Sequence, residues 1–148
     1  MNALTIADAL AAKFPTGALA PPSGYPAIRV STARLPNAIP TSPWVLVTLP
    51  SGTVTLGSQQ LDHAMEFHVQ FHYAKHSGDT ARDMAAMLSW IGVLLTATYA
   101  DMDLGVTGIR KAYPTNYALV VFTYGEVEFY GWDITWVADF HESQVMVT

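Results

Sequence analysis

Two runs of β-branched and aromatic residues near the end of the chain, 117–124 and 127–140, are separated only by Gly125 and Glu126. A two-residue Gly-X loop between such runs predicts a long β-hairpin with a type II′ turn. On the second strand, period-2 alternation puts Trp132, Ile134, Trp136 and Phe140 on one face. Asp133, Thr135, Val137, Asp139 and His141 fall on the other. The first set reads as a core face against a helix. Tyr124, Phe129 and Tyr130 flank the turn, where a monomer tends to expose them, and exposed aromatics in a cluster suggest an interface. The hairpin holds no catalytic set, and its Tyr, Trp and Phe suit large contact surfaces better than chemistry. A strand this long can also run past its own sheet and pair with a neighbouring subunit.

Upstream, residues 65–73 alternate strictly, with Met65, Phe67, Val69, Phe71 and Tyr73 opposite Glu66, His68, Gln70 and His72. That predicts a half-buried strand. Thr5-Ile6-Ala7-Asp8 and Thr80-Ala81-Arg82-Asp83 fit capping boxes. The first predicts a helix with Leu4, Ala7, Leu10, Ala11 and Phe14 on one side, ended by Pro15. The second predicts a helix to about Ala100, with a core stripe of Ala81, Met84, Ala85, Leu88, Ile91, Leu95 and Thr98. Eight of the nine prolines lie within residues 15–50, which limits strands there to short or edge positions, with 27–31 and 44–49 as candidates. Residues 32–43 read as an extended loop, expected to reach a neighbour. Residues 50–53 read as a turn before a short strand at 54–56. Gly105 is the expected helix stop, 106–113 a further strand, and Pro114-Thr115-Asn116 a turn into the hairpin.

With 148 residues, half of them apolar, the chain is expected to form one domain: a proline-rich, loop-dominated segment at 15–50 and a core at 54–142. No apolar run reaches the eighteen or so residues of a membrane span. Residues 1–14 carry Asp8 and no basic leader, so they do not read as a signal peptide. There is no cysteine, hence no disulfide framework and no thiolate metal site. The net charge is −5, and of the seven basic residues only Arg110 and Lys111 are adjacent, so no basic stripe exists to neutralise phosphates.

The histidines are the first candidates for chemistry. His68 and His72 are four apart, a metal-ligand spacing on a helix, but on a strand they stand roughly 13 Å apart at about 3.3 Å per residue. One ion cannot bridge that gap. Asp101 with Asp103, and Glu126 with Glu128, sit at a helix end and a turn tip, where carboxylates stay exposed and do not converge in a cleft. No P-loop, G-x-G-x-x-G or G-x-S-x-G occurs. No catalytic residue, metal or cofactor is expected.

The order of these elements, closed by Tyr124-Gly125-Glu126-Val127-Glu128-Phe129-Tyr130-Gly131 and an alternating strand, resembles the tail terminator (tail-completion) proteins of long-tailed bacteriophages. Their C-terminal hairpin often reads Tyr-Gly-x-x-x-Tyr/Phe-x-Gly, and the likeness covers roughly residues 63–142. It implies an α+β domain with a mixed, mainly antiparallel sheet and two helices packed on it. It also implies a homohexameric ring at the head-proximal end of the virion's tail, assembled in the host cytoplasm. The ring would contact the tail tube protein on one side and a head–tail connector or neck protein on the other. Six copies at −5 each suit a lumen that lets DNA pass without binding it. Tyr124, Phe129, Tyr130, Arg110 and Lys111 are the candidate contacts; Asp101, Asp103, Glu126 and Glu128 are the candidate lumen or exposed acidic surface.

Two rivals stand beside this reading. Another head–tail joining or neck protein would share the topology. A small enzyme or ligand-binding domain would use the His68/His72 face, and would show His68 or His72 converging with Asp133 or His141 in one cleft.

Overall fold

The computed structural model describes residues 3–14, 20–22, 24–36, 38, 40, 42–56, 60–75, 80–99, 106, 109–124 and 126–143. Helix α1 (Ala3–Ala11) precedes strands β1 (Val30–Thr32), β2 (Trp44–Leu56) and β3 (Gln60–Lys75). Helix α2 (Thr80–Tyr99) then leads to β4 (Ile109–Tyr124) and β5 (Val127–Ser143). The five strands form one sheet in the order β1-β2-β3-β5-β4. Only β1–β2 is parallel; β2–β3, β3–β5 and β4–β5 are antiparallel. This is the α+β architecture expected, with β4 and β5 as the long C-terminal hairpin. Its turn type rests on Gly125, outside the described residues.

Alternation builds the core. Phe67 pairs with Trp136, Val69 with Ile134 and Phe71 with Trp132, so these six apolar side chains share one face. Both helices lie on that face, α1 against β1 and β2, and α2 against β4 and β5. Ile6, Leu10, Phe14, Met87, Trp90 and Leu94 belong to the same buried cluster. The Trp132 indole N–H donates to the Met87 carbonyl at 2.8 Å, which ties β5 to α2 and satisfies a donor that burial would otherwise strand.

Several local expectations are corrected. Helix α1 starts at Ala3, so Thr5 lies inside it and no cap forms at Thr5. Ala3 and Leu4 are good helix formers and carry the helix past the polar residue. Asp8 instead accepts from Arg34 at 3.1 Å. Ile6 is buried, while Leu4 is exposed. The helix ends at Ala11, before Pro15, which lies outside the described residues. Strand β1 is shorter than the expected 27–31, starting three residues later at Val30 and ending one later at Thr32. Residues 50–53 do not turn: β2 runs straight through to Leu56, and a bulge between Thr48 and Ser51 absorbs the proline. Likewise Pro114 does not end a strand; β4 continues through a bulge between Pro114 and Asn116. An edge strand tolerates this proline because one side of it owes the ladder no donor. Gly105 lies outside the described residues.

The face of α2 is the largest correction. Its buried side is Asp83, Ala86, Met87, Trp90 and Leu94, while Ala81, Met84, Ala85 and Leu88 are exposed. Apolar residues surround this helix on nearly every side, so periodicity alone does not pick the inner face. The bulkiest side chain does: Trp90 packs at 4.9 Å on Phe71.

Candidate assembly surface

The sheet face away from the helices divides into an aromatic end and a polar middle. At the aromatic end, the His72 ring stacks on Trp44 at 3.9 Å and 11°. Phe122 lies 4.3 Å from the same imidazole, and Phe129 meets Trp44 edge-on at 6.4 Å. Trp44 and His72 are fully buried and Phe129 is 1% exposed. Phe129 is therefore a core residue and not the interface aromatic expected of it. Its neighbourhood to the turn was misleading, because β2 and β3 bring Trp44 and His72 across to cover it. Tyr130, on the opposite face, packs partly buried against the main cluster. Tyr124 closes β4, with its side chain outside the described residues.

Burial holds the His72 pKa down at about 4, against backbone hydrogen bonds to Trp44 and Gln70 that pull it up. The unfolded chain binds this proton near pH 6.5, so the penalty is absent above that pH and grows as pH falls towards 4. The fold should therefore lose about 3 kcal/mol between pH 6.5 and 4 on this account. Denaturant midpoints across that window check it: His72→Phe should flatten the slope, and an unchanged slope would assign the loss to other groups.

In the polar middle, His68 and Asp133 are diagonal neighbours, since His68 pairs with Thr135 and Gln70 with Asp133. His68 Nδ1 lies 3.0 Å from Asp133 Oδ1, and Nε2 lies 3.4 Å from Glu66 Oε1. A histidine oriented by a carboxylate is half of a general-base arrangement. The other half requires a nucleophile at Nε2, and that nitrogen faces a second carboxylate. His72, four residues on, is sealed in the aromatic cluster, and the His141 side chain lies outside the described residues. Among the described residues, no three His, Cys, Asp or Glu are placed to hold a metal ion.

The remaining candidates lie near the ends of the hairpin. Arg110 donates to Asp62 at 3.1 Å, with both side chains well exposed, so the pair contributes little to stability. The Lys111 ammonium sits 5.3 Å from the Tyr113 ring centre. Both basic residues border an open groove of ≈600 Å³ that also includes Thr53, Thr55, Asp62 and Asp139. Glu126 and Glu128 are exposed at the opposite end of the hairpin. Asp101 and Asp103 lie outside the described residues.

Sequence reasoning missed the β2–β3 arm. Residues 51–56 are exposed throughout, including Val54 at 59% and Leu56 at 71%. Phe140, level with Val54 through His63, is buried, so burial at this level stops short of β2. The signal was available in 51–56 and 61–65, two short apolar-containing segments around a polar break, but Pro50 and Gly52 argued for a turn. Among the described residues no helix is long and apolar enough to cross a membrane. A scan against protein-family models and a search of curated proteins both return no match.

Proposed function

We propose that this chain is a virion structural protein of a long-tailed bacteriophage, a tail terminator acting as a ring. One ring face caps the head-proximal end of the tail tube and the other receives the neck. The observation that carries the proposal is the uncovered arm: Val54 and Leu56 stay in water in the single chain, on a stretch of β2 that is exposed throughout. Apolar side chains on an unprotected strand invite a second protein. The resemblance of residues 63–142 to tail terminators supplies the identity of the assembly and its sixfold number. The function is geometric: a surface that matches the last tube ring on one side and refuses a further tube subunit on the other stops growth without breaking a bond.

The His68–Asp133 contact favours a second reading, a small enzyme or ligand-binding domain on the same face. Mass measurements over a dilution series separate the two. The ring reading expects a concentration-dependent rise from monomer to one uniform oligomer. A chain that stays monomeric throughout would overturn it and return the histidine face to first place.

A further inference from the structure

We infer that copies of this chain join by antiparallel pairing of the β4 edge of one copy with the β2 edge of the next. The inference rests on the assembly reading above and specifies where the copies meet.

Both edges are open among the described residues. Strand β4 is the outer strand on one side of the sheet. On the other side, β1 pairs only with Trp44, Val45 and Leu46, which leaves β2 without an outer neighbour from Val47 to Leu56. Where that open stretch begins, an apolar groove of ≈370 Å³ lies between α1 and β2, lined by Leu4, Ala7, Leu35 and Val47 among others. Leu35 is 74% exposed there. On the β4 edge, Tyr117 and Val121 are the exposed large apolar residues.

Charge selects a second copy as the occupant. Natural edges are usually guarded by charged side chains. Residues 47–56 carry none, and the part of β4 level with them, 109–117, carries only Arg110 and Lys111 at its start. Copies at −5 each repel one another, and these two edges are where they meet without like charges in contact. Opposite charges sit just beyond: exposed Glu126 and Glu128 past the end of β4, and exposed Arg29 just before β1. In this arrangement the two glutamates lie at the subunit boundary and not in the lumen.

Direction and height follow from the sheet itself. Strands β2, β3, β5 and β4 alternate in direction, so β4 runs opposite to β2. A copy set alongside in the same orientation therefore presents an antiparallel edge. Tyr117 pairs with Ile134, Ile134 with Val69, and Val69 with Val47. An unshifted neighbour thus brings its Tyr117 to the height of the Val47 groove, on the helix side of the sheet. The contact joins two different patches, so repeating it by rotation closes a ring.

The absence of cysteine gives a clean test. Thr48 and Asn116 share one height, through His68 and Thr135. The full-length double variant Thr48→Cys/Asn116→Cys, treated with a short bis-maleimide, should give a ladder of covalent oligomers on a denaturing gel. An equimolar mixture of the two single variants should stop at dimers. Ser51→Cys with Tyr113→Cys, again level across the sheet, reads the same contact should the first pair not fold. If the unmodified chain assembles but neither pair cross-links beyond background, the edge contact is wrong while the assembly reading stands. If the unmodified chain stays monomeric at every concentration and no ladder forms, both fall.

Discussion

Gly131→Ala is expected to destabilise the fold by about 4 kcal/mol, among the largest effects of any single substitution. A Cβ at this position would overlap the carbonyl oxygen of Phe71 and sit 2.8 Å from Cε2 of Phe122. The first is backbone in the central strand pair and cannot yield without shifting β3. The second is a ring already held against His72 at 4.3 Å. Overpacking of this kind forces the backbone apart. In a thermal scan the midpoint should fall by about 10 °C or more. A fall of a degree or two would mean that β3 and β5 separate easily, and that the aromatic end of the sheet is loosely packed. The same contact explains why glycine stands at the end of the Tyr124–Gly131 pattern: it makes room for a ring from the partner strand.

Trp90→Ala is expected to cost about 3–5 kcal/mol. Trp90 is fully buried at the centre of α2 and lies against Phe71, so its removal leaves a large void between helix and sheet. Leu88→Ala, two residues away on the same helix, is expected to stay within about 0.5 kcal/mol, because that side chain is 62% exposed. Chemical denaturation of the two variants reads out which side of α2 faces in. Equal losses would contradict the packing described here. A loss of assembly in Leu88→Ala without loss of stability would add the outer face of α2 to the subunit contacts.

The contrast between these two residues shows where a sequence can and cannot be read. Strand faces were legible, because a period of two assigns each side chain once a polar residue fixes the phase. Glu66, His68 and Gln70 did that for β3, and Asp133, Thr135 and Asp139 for β5. Helix α2 offered no such phase: from Met84 to Leu95 only Ser89 and Gly92 interrupt the apolar run. Size was the better guide, since a tryptophan left in water forfeits more burial than a leucine or methionine. Proline and glycine misled in the opposite direction. Pro50, Gly52 and Pro114 read locally as turns, and pairing with β3 and β5 overrode them through bulges.

The site was less legible than the fold. The exposure of Glu126 and Glu128 followed from their place at the hairpin turn. The burial of Phe129 did not, because it depends on Trp44, 85 residues earlier in the chain. The His68–Asp133 contact likewise needed the β3–β5 register, which no local pattern supplies. Exposed edges are a property of the finished sheet: only when β4 is known to lie outermost and β1 to be three residues long do the two open edges become visible.

The most direct test of the termination account is electron microscopy of particles from a phage lacking this chain. The account predicts headless tails of excessive or irregular length, because nothing closes the tube. Tails of normal length beside filled, unjoined heads would contradict it and assign the chain to joining instead. Normal infectious particles would contradict any essential structural role.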